Sequence, residues 1–480
     1  MLRWTQNSYF GGNAVDQFIG IKNSFQDGKN IDVRSEPRFV KLAEKPVRNA
    51  SGVIADWIMD WVTIQATGDV IAFGDTGKIY RQTAGTGDFA LAYTDSSNRK
   101  ITDAYEYNGK LVWATQSNLH YILVANIDAT WSTDVVENWK TFTNGNTTYH
   151  PMLEVYNNLL IGDGKHVAQL DALGVFTGNK LPIFGDEQVV KLTFNGSVIK
   201  VYSQRTANVD YGRSYLWNGT SGSYQEFLPW PGAIHSAGSL HNLDYVLAGR
   251  IPTLYASNGY NIQPLTQLPG FARGSSGTFN HNAMTAVDST ILFGSVNGGT
   301  NTLNRGIWSF GRKNKDYPQV LNNEYSTSNG SASDLIGAVH VSNGKVYMGW
   351  KNGTTYGIDV TDNSTYAATG ELVSRAWDGG YAYVKKEMKA GHISFKTLNA
   401  GEKIDLYVKR NLGSSWGSPI LTVDYADTAD RDINYKEIGT AVVDPFNFLE
   451  TKVVLTAGTN SLTTPAVGEI VIDAEPVSVL

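Results

Sequence analysis

Asn343-Gly344-Lys345-Val346-Tyr347-Met348-Gly349 carries the pattern that decides the fold: a turn residue, then an apolar run that ends on glycine. The phrase returns as Gly68-Asp69-Val70-Ile71-Ala72-Phe73-Gly74, Asn157-Asn158-Leu159-Leu160-Ile161-Gly162 and Asp288-Ser289-Thr290-Ile291-Leu292-Phe293-Gly294. Looser copies start at Asn108, Asn195 and Asn242. Successive copies lie about 40 to 55 residues apart, the period of four-stranded propeller blades. A second run follows each copy, as in Gly77-Lys78-Ile79-Tyr80 or Arg213-Ser214-Tyr215-Leu216-Trp217. Each unit therefore holds at least one hairpin, with Asn-Gly or a related pair supplying the positive φ of a tight turn. The units fall at 55–94, 101–143, 149–183, 187–231, 233–270, 281–326 and 333–367. The spacing predicts seven blades, with six or eight as alternatives. The stretch Trp131 to Phe142 reads as a loop carrying a short helix.

Outward from the repeats the pattern changes. After residue 370, Ala390 to Lys396, Glu402 to Arg410, Thr451 to Leu455 and Glu469 to Asp473 alternate apolar and polar, as half-buried antiparallel strands do. They predict a small C-terminal β-sandwich. Before residue 55, Phe18 to Ile21 and Asn30 to Arg34 read as short strands around a turn at Gln26 to Lys29. A strand from this segment can pair with the last blade and remove the open sheet edges of the ring. The expected fold class is all-β, a β-propeller followed by the sandwich, divided as an arm at 1–54, a propeller at 55–370 and a sandwich at 371–480.

Composition narrows the function. The 480 residues are 41% hydrophobic and 18% charged, which describes a folded chain. A net charge of −6 argues against a dedicated nucleic-acid binder, which needs a basic field. Residues 1–54 nonetheless carry eight Lys/Arg against five Asp/Glu. Arg34, Arg38, Lys41, Lys45 and Arg48 in that arm are the candidate interface residues for a neighbouring subunit, although a solvated strand with incidental charges is the plainer reading. The chain has no cysteine, which excludes thiol catalysis, Cys-based zinc sites and disulfides. Neither a signal-like start nor an apolar run of the roughly 20 residues a membrane span needs is present.

The search for chemistry ends without a constellation. No His pair has H-E-x-x-H spacing and no Gly-x-Ser-x-Gly occurs, so neither a zinc protease nor a nucleophile elbow is indicated. His235, His241, His281 and His340 sit near strand starts, where inner propeller strands can aim side chains at the central channel; packed histidines are the plainer reading. The run Asp424 to Asp432 has carboxylates at spacing that suits Ca²⁺ but lacks the Gly and Glu of an EF-hand loop. Paired carboxylates for glycoside hydrolysis can come from distant blades, and nothing singles out a pair. Trp217, Trp230, Trp308, Trp350 and Tyr356 can stack on sugars or pack sheets together. The expectation is a non-enzyme with no catalytic residue, metal or cofactor.

The phrase Phe18 to Phe25 and Gly28 to Pro37, placed before a propeller, resembles the start of tailed-bacteriophage tail proteins. The layout of arm, propeller and sandwich is similar to phage stabilisation (tail hub) and tail nozzle proteins. The resemblance implies a virion structural protein, made in the host cytoplasm, in a homo-oligomeric ring, six-fold favoured. The ring would meet portal and tail proteins and surround DNA that passes without sequence-specific binding. Alternatives are a carbohydrate-binding or carbohydrate-active propeller and a tail-tip receptor-binding or fibre-adaptor protein.

Overall fold

The computed structural model describes the chain except residues 10, 15–17, 19–22, 37, 50–53, 129, 145–148, 206–210, 270–279, 295–305, 313–318, 332, 430, 440–443, 461 and 478–480, and gives the backbone alone at 362–364. Of the strand expected at 18–21, residues 19–21 lie outside the described residues.

Seven four-stranded antiparallel sheets follow one another along the chain, six of them with their strands in sequence order. Their first strands are Ile58–Thr63, Ile101–Tyr107, Met152–Val155, Glu187–Phe194, Ile234–Leu240, Met284–Val287 and Leu335–Ser342. Each first strand packs beside the first strand of the next sheet, and the seventh packs beside the first. That closed ring of inner strands makes the fold a seven-bladed β-propeller. The last blade takes its fourth strand from the N-terminal side, Glu44–Arg48 beside Thr355–Tyr366, so the ring is closed by a strand from before blade one.

The repeated phrase is the second strand of each blade, not the first. Those strands lie inside the blade and are covered on both faces by neighbouring sheets. Val70–Gly74 and Thr290–Gly294 are buried throughout, which is why they read as unbroken apolar runs. The closing glycine has a packing cause. A Cβ on Gly349 would lie 2.5 Å from Ile58 Cβ, and one on Gly162 would lie 2.9 Å from Val189 Cγ1. One on Gly294 would lie 2.9 Å from Ile336 Cβ. In each case the partner belongs to the next blade's inner strand. In blade two the expected loop is a four-residue helix, Trp131–Asp134, followed by the outer strand Val136–Thr141.

The chain divides into two compact units. One is Val47–Gly306 with Thr327–Val360; the other gathers Met1–Pro46, Ile307–Ser326 and Thr361–Leu480. The second contains the sandwich. One of its sheets runs Ile31–Asp32, Val40–Leu42, Ala466–Pro476, Lys386–Lys396, Ile433–Ile438, with Leu2–Gln6 also on Ala466–Pro476. The other runs Phe25–Lys29, Thr369–Ser374, Leu449–Thr456, Lys403–Arg410, Leu421–Asp424. Phe25, Ile31, Val40 and Leu42 share its core with Ile393, Phe395, Ile404, Leu406, Val453 and Ile472.

This corrects the picture of a separate N-terminal arm. Most of that segment supplies sandwich strands, because the long strands 466–476 and 369–374 leave ladder edges that Leu2–Gln6, Val40–Leu42 and Phe25–Lys29 satisfy. The turn expected at Gln26 to Lys29 is likewise a strand, with Gly28 opposite Leu372. Arg3 forks onto Asp473 at 2.8 and 2.9 Å, tying the two chain ends together.

Candidate functional site

The inside of a propeller ring is where its inner strands can aim polar groups at one another, and five of the seven carry an irregularity there. The pairing slips between Ile58 and Asp60, Ile101 and Asp103, Val189 and Lys191, Ile234 and Ser236, and Ile336 and Val339. A bulge adds one unpaired residue, bends the strand and re-aims the side chains that follow. Asp60, Asp103 and Lys191 all stand just past such a bulge.

Asp60 Oδ2 and Asp103 Oδ1 accept from the same amide, Ala104 N, at 2.7 and 2.8 Å. The other Asp103 oxygen accepts from Met152 N at 3.0 Å. Blade one is thus held to blade two, and blade two to blade three. Two carboxyl groups meeting at one N–H cannot both be charged cheaply. Burial, and then the neighbouring Asp103, push the Asp60 carboxyl well above its ordinary range, while the Lys191 ammonium opposes the rise. Lys191 Nζ donates to Asn282 Oδ1 at 2.6 Å. The Nδ2 groups of Asn280 and Asn282 both donate to Met59 O at 3.2 Å, which satisfies the carbonyl that the first bulge strands.

His281 packs edge-on to Tyr149, ring centres 4.2 Å apart, and its pKa is lowered to about 3, chiefly by burial and then by His235 and Lys191. His235 Nε2 meets Gly249 O at 2.8 Å and His340 Nε2 meets Thr63 Oγ1 at 2.7 Å. His241 sits in the left-handed region at φ 50°, in the turn before the second strand of blade five. Among the described residues no group of three His, Asp or Glu could hold a metal ion. The arrangement fastens blades, and burial disfavours the charged forms of His235, His281 and His340. Sequence spacing could not find it, because its members come from blades one, two, four and six.

The five arm cations scatter. Arg34 is a correction: it is 6% exposed and pairs with Glu324 and Ser309, so it cannot reach a neighbouring subunit. A buried guanidinium must be paired, and this one is paired within the fold. Lys41 faces Asp32 at 3.8 Å on the adjoining strand. The Arg48 guanidinium donates to Tyr356 O at 3.0 Å and lies over the Trp350 ring at 4.9 Å. Only Arg38 and Lys45 of the five are exposed.

The other sequence candidates resolve locally. Asp424 and Asp427 form a reciprocal capping box on the short helix Tyr425–Asp427, and Asp427 also binds Lys436 at 2.5 Å. Trp217, Trp308 and Trp350 are fully buried and Trp230 is 5% exposed, so they pack sheets. No helix among the described residues is long and apolar enough to cross a membrane.

No family model and no curated protein sequence matches the chain. Similar solved structures include a chain of a mitotic checkpoint complex, at 11% identity and TM-score 0.46, covering 66% of this chain and 94% of that one. Raptor of Chaetomium thermophilum is similar at 12% identity and TM-score 0.44, covering 67% of this chain and 30% of Raptor.

Proposed function

We propose that the chain is a structural component of a tailed phage particle, a tail hub or nozzle subunit that works as a rigid building block and turns over no substrate. The observation that carries this reading is the use made of polar groups on and beside the inner strands. Asp60, Asp103, Asn280 and Asn282 are engaged in joining blades, where an enzyme would present such groups to a substrate. The layout of N-terminal strands, propeller and sandwich supports the assignment to tail proteins through the resemblance described above. The net charge of −6 suits a ring around moving DNA, because non-specific affinity comes mainly from cations that release counterions.

With most of the arm serving the sandwich, subunit contacts fall to outward groups, and Arg38 and Lys45 are the retained candidates. Native mass of the purified chain, alone and mixed with its portal protein, tests the reading. The expected result is a 52.4 kDa monomer that enters a ring with the portal present. A chain that remains monomeric beside a competent portal overturns it.

A further inference from the structure

The outer face of the first sandwich sheet carries a groove of about 640 Å³. Its floor and walls follow from register. Tyr435 lies opposite Ser394 on the adjoining strand. Ser394 in turn faces the next strand where the pairing slips between Ile393 and Phe395, opposite Ile470 and Val467, so that Gly468 and Glu469 together oppose one residue. Both bulge residues line the groove. Ser394 Oγ accepts from Glu469 N at 2.6 Å and locks it in place. On the far side Phe39 lies against Gly468, where an added Cβ would sit 3.0 Å from the ring. Only glycine leaves that space.

The row across the sheet is therefore aromatic, small, small, aromatic: Tyr435, Ser394, Gly468, Phe39. Tyr435 is 64% exposed, with the His392 ring edge-on to it at 6.1 Å. The rim brings polar groups of every kind: the Arg38 guanidinium, the Glu469 carboxylate, which has His392 Nε2 at 3.8 Å, and Asn7 and Asn23. A charged ligand would meet a like charge on either side. A neutral polyol would not, since its hydroxyls donate to Glu469 and accept from Arg38 and the amides.

We propose that this groove binds a neutral oligosaccharide, with Tyr435 stacking on a sugar face, Phe39, whose ring the Lys396 ammonium covers at 4.9 Å, closing the far wall, and Arg38 and Glu469 gripping paired hydroxyls. The shape suits the class: an aromatic-walled cleft with a few convergent polar groups. The inference stands apart from the tail-protein reading, for a chain that assembles with a portal and binds no glycan loses only this proposal.

The test uses the full chain against an array of neutral and acidic di- to hexasaccharides, followed by calorimetric titration of the strongest neutral binder. Tyr435→Ala is expected to weaken binding by about tenfold or more, as loss of a central aromatic contact does. Tyr435→Phe keeps the ring and is expected to bind within a few-fold of wild type. Tyr383→Ala, at a tyrosine 99% exposed elsewhere in the same unit, is expected to change nothing. Wild-type chain that retains no neutral glycan, retention of acidic glycans alone, or Tyr435→Ala binding like wild type would each overturn the proposal.

Discussion

Gly294→Ala should destabilise the propeller by overpacking one blade on the next, and the effect should be relieved by shrinking a single partner. The new methyl would press into Ile336 Cγ2, lie 2.9 Å from Ile336 Cβ and touch Ala283 Cβ at 3.4 Å. Gly294 is not in the left-handed region, so backbone strain adds nothing and the cost is steric. Forcing a methyl into a filled core costs about 1–3 kcal/mol. Ile336 is fully buried, so Ile336→Ala alone should cost about 2–5 kcal/mol through its cavity. Together the substitutions remove the worst contact and part-fill the cavity. Their costs should therefore fall short of additive by about 1 kcal/mol or more. Urea midpoints of the two single variants and the double variant give the coupling directly. Gly185→Ala, where an added Cβ meets nothing within 4 Å, is the control and should be neutral. Additivity within about 0.5 kcal/mol would refute the claim that the closing glycine exists for blade-to-blade packing.

Further outcomes follow from the buried polar groups. The Asp60 carboxyl is raised above its unfolded value, so its stabilising effect is complete at acid pH and is lost as pH rises through the folded pKa; Asp60→Asn should flatten the fall in urea midpoint between pH 4.5 and 8, and an unchanged slope would count against the crowding of Asp60 by burial and Asp103. His281 has its pKa depressed to about 3, so the unfolded chain binds its proton first and stability falls from about pH 6.5 downward; His281→Gln should lessen that acid loss in thermal melts, and an identical acid limb would show the imidazole to be solvated. Arg34→Ala leaves Glu324 buried without its cation and should cost about 3–5 kcal/mol by chemical denaturation, whereas Lys45→Ala on the surface should stay within about 0.5 kcal/mol. Equal effects at the two positions would contradict the placement of Arg34.

What could be read from the sequence divides along physical lines. Second strands such as Val70–Gly74 are covered on both faces, so each residue reports burial and the repeat stands out. The inner strands were harder to see. They carry Asp60, Asp103 and Lys191, and bulges break their alternation at the positions that matter. Register across distant segments was invisible. Leu2 pairs with Ala474, and Arg34 meets Glu324, contacts that leave no local periodicity. A positive charge near a chain end looks the same whether it is solvated, like Lys45, or buried and paired, like Arg34. The aromatic groove is the extreme case, since Phe39, Ser394, Tyr435 and Gly468 become neighbours only once four strands are aligned.

We have proposed that this chain is a building block of a phage tail. Electron microscopy of purified particles, decorated with an antibody fragment raised against the chain, tests it most directly. The account predicts decoration in a ring on the tail axis below the portal. Particles that carry no decoration, from a preparation in which the chain is made but left behind in the lysate, would contradict it.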